Sequence, residues 1–243
     1  MFLVCIKSER LKLKHSNIWI AFVLLPVIPA VMGTKNYLNN LYILQSEWSS
    51  LWTQETLFYS NFFFAPLIAV CCSYLWRMEN QNKNRHLLLT MPVPLRDIFL
   101  GKFASIVKIT IAVQLWIYGL YIISGKLVSL PGFPPAQTFF YTLRGVLGGM
   151  VIAALQLTLS MIIRSFAVPI VIAIIGSITG LLASNSPYGA YYPYSLMMLG
   201  MNANKTEDML SGSANIFLAS SLFYLTLICL IAVLILKRQD VHA

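Results

Sequence analysis

The sequence predicts an all-α integral membrane protein with six transmembrane helices and both termini in the cytoplasm. Three observations predict it. Hydrophobic residues make up 58% of the 243 residues and charged residues 10%, far from the balance of a soluble domain. Six apolar runs cover residues 18–32, 57–76, 103–123, 139–163, 166–183 and 216–236, with no carboxylate in their interiors. Runs of this length approach or match the ~20 residues that carry a helix across a ~30 Å hydrocarbon layer, and helix is the form that pairs its own backbone there. Third, the 17 Lys and Arg residues divide unevenly between the alternating loops. Thirteen fall on one side (Lys7, Arg10, Lys12, Lys14, Arg77, Lys83, Arg85, Arg96, Lys102, Lys108, Arg164, Lys237, Arg238) and four on the other (Lys35, Lys126, Arg144, Lys205). The bias sets the crowded side, and with it both chain ends, inside.

Residues 2–16 alternate apolar side chains with bases, the pattern of a short helix lying in the inner headgroup layer. The first span is expected to kink at Pro26 and Pro29. In the loop from Gly33 to Thr56, Leu41, Leu44, Trp48, Leu51, Trp52 and Glu55 fall at helical spacings. That spacing predicts an interfacial helix on the outer surface, with a headgroup-level aromatic belt as the simplest role. Between the second and third spans a polar run, Arg77 to His86, leads into Leu87-Leu88-Leu89-Thr90-Met91 and a Pro92-Val93-Pro94 break. The apolar run is too short to span and reads as a cytoplasmic helix with an exposed apolar face, whose expected receptor is a groove on another protein.

Spans four and five are joined by Arg164-Ser165, which forces an antiparallel hairpin. Gly145 and Gly149 in one, and Gly176 and Gly180 in the other, form small-xxx-small pairs for close packing, within the chain or between two copies. The last outer loop, 184–215, carries Tyr188, Tyr191, Tyr192, Tyr194, Met197, Met198 and Met201. Aromatics and thioethers there fit either a packed belt or a lip facing lipid or substrate. No stretch outside the spans builds a second domain, so residues 1–243 read as a single transmembrane domain.

The sequence also excludes much chemistry. All eight acids and three histidines lie in loops or at span edges, which argues against ion-driven carriers and intramembrane metalloproteases. Cys5, Cys71, Cys72 and Cys229 lie in or beside apolar segments without metal-ligand spacing, so neither an external disulfide nor a metal site is expected. No Walker-type loop is present, so ATP hydrolysis is not expected of this chain, nor is any other catalytic activity. The net charge of +9 follows the membrane topology and contact with anionic lipid, not nucleic acid.

The polar run with Glu79, then Leu87-Leu88-Leu89-Thr90-Met91-Pro92-Val93-Pro94-Leu95-Arg96 and Gly101-Lys102, resembles the coupling region of type-two (ABC-2-like) ABC exporter permeases. The layout matches over nearly the full length; the motif itself covers roughly the stretch 77–102. Chain length and the opening Glu9-Arg10-Leu11-Lys12-Leu13-Lys14 followed by Trp19 are similar to the lantibiotic-immunity permeases of Gram-positive bacteria. The resemblance implies a permease in the bacterial cell membrane, paired with a second copy or a homologue above two ABC ATPase subunits. ATP and Mg would be bound by those partners, with no cofactor on this chain. The substrate would be an amphipathic antimicrobial peptide, or another lipophilic drug such as bacitracin. The helix around Asn84–Met91 would then meet the ATPase through Leu88, Leu89 and Met91, with Glu79 and Arg96 fixing its ends. Trp48, Trp52, Tyr191, Tyr192 and Met198 are the candidates for substrate contact. A non-transporting scaffold or sensor subunit is the alternative from another class.

Overall fold

The computed structural model describes residues 1–14, 16–81 and 92–240. The described residues are overwhelmingly helical, and six helices are long and apolar enough to cross a membrane: Ile18–Asn39, Glu47–Asn80, Leu95–Leu127, Ala136–Ile162, Ala167–Ser184 and Ala214–Arg238. A seventh, Phe2–Lys14, precedes them. The six expected spans are all present, and the boundary differences are informative.

The first span breaks where proline predicts, into Ile18–Leu24 and Val27–Asn39, with Pro26 at the joint. Pro29 falls in the first turn of the second piece, where a helix needs no donor from it. The expected surface helix of the first outer loop is instead the opening of the second span. Helix Glu47–Phe58 runs through a π-helical turn, Tyr59–Phe63, into Phe64–Asn80. Trp48, Leu51 and Trp52 are buried. The physical reason is that the polar residues of this stretch find partners on the first span. Thr34 Oγ1 donates to Glu55 Oε1 at 3.1 Å, and Asn36 Nδ2 donates to Gln54 Oε1 at 2.6 Å. Glu55 is therefore no loop acid: it is fully buried, the ninth residue of the helix from Glu47 and about 12 Å from that end.

Burial ranks the helices. In the second and fourth spans 67% of the apolar window is buried, against 28% in the first and 22% in the last. The second and fourth therefore form the centre, joined by a Ser73–Ser160 hydroxyl contact of 3.2 Å. The first, fifth and sixth turn Ile20, Val23, Ile174, Ile178, Leu222 and Leu230 outward, as lipid requires.

At the end opposite the basic residues the last loop folds back into the bundle. Helix Leu196–Gly200 is buried throughout, and Trp52 Nε1 donates to the Met201 carbonyl at 2.9 Å. The glycines of the facing spans make room for it. A Cβ on Gly148 would lie 2.5 Å from the backbone nitrogen of Met197, and one on Gly176 would lie 2.5 Å from the Tyr194 ring. The small-residue pairs also face this chain: a Cβ on Gly145 would meet the Met201 side chain, one on Gly149 the Phe64 ring at 2.9 Å, and one on Gly180 the Tyr194 backbone at 3.0 Å.

Arg144 holds the rim of this plug through two bonds to Asp208, 3.1 and 2.9 Å. Burial alone would raise the Asp208 pKa, but the Arg144 guanidinium and the Leu210 N–H outweigh it and hold it below the ordinary carboxylate value. A depressed pKa stabilises above the unfolded value of about 3.9, and the gain disappears as pH falls through the folded value. Hydrogen exchange of residues 196–213 should show wild type losing about 1 kcal/mol or less of local stability on acidification below pH ~4. Asp208→Asn should show that loss already at neutral pH and no further change.

Candidate coupling site at the basic end

Four side chains meet where the N-terminal helix crosses the ends of the second and third spans. Lys102, wholly buried in the third span, donates to Glu9 Oε1 at 2.9 Å and to Glu79 Oε1 at 2.8 Å. Lys12 donates to the same Glu9 oxygen at 2.7 Å and also pairs with Glu79. Two carboxylates and two ammonium groups make a neutral quartet. The Trp76 ring lies 5.2 Å from the Lys102 ammonium and covers it.

Local sequence explains why these groups converge. In the third span Ile98, Lys102, Ser105, Ile106 and Ile109 fall at spacings of three and four, and all are buried. In the second, Ile68, Cys72, Leu75, Trp76 and Glu79 do the same. Lys102 and Glu79 thus occupy core positions of neighbouring helices. Gly101 brings the N-terminal helix within reach, since a Cβ there would lie 2.7 Å from Cys5 Cβ. From that helix Glu9 and Lys12, one turn apart, both point inward.

The charges are mutually supporting. Burial works against the Lys12 charge, but Glu9 and Glu79 outweigh it and hold the ammonium above its ordinary range. Its contribution is present below about pH 10.4 and is lost only as pH rises through the raised value. In a dry site, removing one member exposes the others to unpaired burial.

Of the residues expected to fix the coupling segment, Glu79 stands in the quartet and Arg96 does not. Arg96 is exposed and, among the described residues, its ion-pair partner is its neighbour Asp97, at 3.5 Å. Glu79 pairs with Lys12 and with Lys102, both of which sequence reasoning counted among the basic flanks; the place of Lys102 on the apolar stripe was the available signal. Leu88, Leu89 and Met91 lie outside the described residues. At the other end Trp48, Trp52 and Met198 are buried, Tyr191 is exposed, and Tyr192 is half-buried with its hydroxyl 2.8 Å from that of Thr179. The five candidates for substrate contact therefore do not form one surface. Among the described residues no group of three His, Cys, Asp or Glu side chains is placed to hold a metal.

Six apolar helices around a buried polar clamp define a multi-pass membrane protein. The chain belongs to the ABC-2 family: the model of the ABC-2 family transporter protein matches residues 5–180, from the N-terminal helix into the fifth span. It is thus a membrane permease subunit of an ABC transporter, the kind of subunit that works with an ABC ATPase. Neither the curated proteins nor the solved structures yielded a match.

Proposed function

We propose that this chain is the permease of an exporter that removes an amphipathic substrate from the membrane, an antimicrobial peptide in the manner of lantibiotic self-immunity. The whole chain acts as one transmembrane domain in the bacterial cell membrane, with its basic end and both termini in the cytoplasm. Two permeases, identical or homologous, stand side by side over two ATPase subunits that bind ATP and Mg. Closure of the ATPases pushes on the segment around Asn84–Met91, through Leu88, Leu89 and Met91.

The observation that carries this reading is the quartet. Glu79 lies just before residues 82–91 and Lys102 in the second turn of the helix that follows them, and both are tied to the N-terminal helix. A push on that segment therefore arrives at a braced joint between two spans, rather than at two loose helix ends. A joint of this kind suits a permease that must receive motion from a separate motor. Arg77, 5.6 Å from the Phe166 ring, links the same joint to the turn between the fourth and fifth spans.

Charging the expected ATPase-facing surface tests the reading. The Leu88→Glu, Leu89→Glu double variant should lower co-purification of the ATPase at least tenfold, a loss of about 1.4 kcal/mol or more. Expression level and melting temperature should stay at wild-type values. Undiminished ATPase binding would remove the segment from the interface. For the substrate, cells carrying the permease and its ATPase should survive higher lantibiotic concentrations than cells carrying the double variant. Equal sensitivity would leave the transporter standing and discard the peptide.

A further inference from the structure

A cavity of about 460 Å³ opens at the basic end, between the N-terminal helix, the start of the first span and the third span. The quartet does not line it. Arg10 and Lys14 come from the N-terminal helix and Lys108 from the third span, while Leu13, Trp19 and Ile109 form its apolar side. Among the described residues no acid lines it, and none of the three bases makes an ion pair. Glu9, the nearest acid on the N-terminal helix, is buried and turned to Lys12 and Lys102. Trp19 Nε1 donates to the Leu13 carbonyl at 2.9 Å, which fixes the joint that forms the cavity's edge.

Depth identifies the occupant. After Lys108 the third span holds no charged residue until Lys126, and its outward side chains Ile111, Leu115 and Trp116 are exposed as lipid-facing groups are. Lys108, the last charge before this apolar stretch, therefore sits where the hydrocarbon begins, near the level of lipid phosphates. Three unpaired cations above an apolar wall match an anionic headgroup above acyl chains. The volume is that of a ligand site.

We infer that this cavity is a specific site for an anionic glycerophospholipid, its phosphate held by Arg10, Lys14 and Lys108 and its upper chains lying against Leu13, Trp19 and Ile109. The inference needs only the membrane placement and stands apart from the exporter reading. Such a lipid would bind the N-terminal helix to the third span beside the quartet.

Native mass spectrometry of the full-length protein, released from nanodiscs, reads the occupancy. Wild type should retain phosphatidylglycerol over phosphatidylcholine. The Arg10→Gln, Lys14→Gln, Lys108→Gln triple variant should lose roughly a hundredfold in phosphatidylglycerol affinity, at about 1 kcal/mol per charge. A triple of equal charge outside the cavity, Lys7→Gln, Lys237→Gln, Arg238→Gln, should lose less than a tenth as much. Equal losses in the two triples would mean diffuse attraction and overturn the site, as would equal retention of phosphatidylcholine. Displacement of the lipid by millimolar inorganic phosphate would reassign the cations to a small free anion. Should the triple fail to fold, Lys108→Gln alone changes one exposed side chain and should lower affinity about fivefold; no loss there overturns the proposal equally.

Discussion

Replacing Lys102 with methionine should destabilise the protein by about 3–5 kcal/mol, the usual result of removing one partner from a buried ion pair. Methionine fills a similar volume, so the effect is electrical. Two carboxylate oxygens that now accept from one ammonium, at 2.9 and 2.8 Å, would face each other with Lys12 alone between them. Lys12 is partly exposed and already serves both. Among the described residues the second oxygen of Glu9 is buried without a hydrogen-bond partner, so no other bond there would replace the lost one. One of the two acids would have to take up a proton or swing toward water. The N-terminal helix, held at this point, should detach from the spans.

The measurement is thermal unfolding of the permease–ATPase complex, read with its ATP turnover. Lys102→Met should lower both the melting temperature and turnover. Adding Glu79→Gln in that background should restore part of the stability, since it removes a charge that the first change stranded. Lys102→Arg should recover less than a charge count suggests, because a planar fork does not place one nitrogen between two carboxylates as an ammonium does. A Lys102→Met protein that melts like wild type would mean the quartet bears no load.

The second large effect is expected at Gly148. Its Cβ position is taken by backbone, the Met197 nitrogen at 2.5 Å and the Leu196 carbonyl carbon at 2.6 Å. Backbone cannot rotate aside as a side chain can, so Gly148→Val should push Leu196–Gly200 out of the bundle. Overpacking of this kind typically costs about 1–3 kcal/mol, and displacement of a helix whose five residues are all buried puts the expectation at the upper limit. A Met198→Cys reporter should be silent toward a membrane-impermeant thiol reagent in the parent protein and react once Gly148→Val is added. Gly119, with open space around its Cβ position, supplies the control: Gly119→Ala should leave melting and labelling unchanged. Protection of the reporter in both would show that the plug tolerates the added bulk.

These two sites also show where sequence reasoning reaches and where it stops. The six spans were legible because a run such as Ile109–Gly125 has one meaning in a chain of this composition. The proline kink was legible too, since Pro26 breaks the first span, whereas Pro94, read as the end of a short cytoplasmic helix, caps a third span that starts at Leu95 rather than at Phe103. The opening of the second span was not, because Thr53, Gln54 and Glu55 suit a helix on the membrane surface until Thr34 and Asn36 are known to lie opposite. The plug escaped notice for a related reason. Leu196–Met201 is apolar but too short to span, and only the glycines of two other helices reveal its seat. Lys102 was read as a surface base because position relative to a span edge was weighed above position on the helix face. Glu79 was singled out from the motif as one end of the coupling helix, but its partners, Lys12 and Lys102, were not foreseen.

The third span has one more consequence. Its 33 residues make a rod of about 50 Å, well beyond the ~30 Å of the hydrocarbon layer. The rod starts at Pro94, passes the quartet at Lys102 and the lipid-facing cavity at Lys108, and ends beside Trp48, whose carbonyl accepts from Tyr121 at 2.8 Å. If the coupling proposed above holds, a small swing of its basic end would pivot about the quartet and reach the far end as a displacement against the aromatic packing around Trp48 and Trp52. Opposite faces of the bundle are connected by one unbroken shaft.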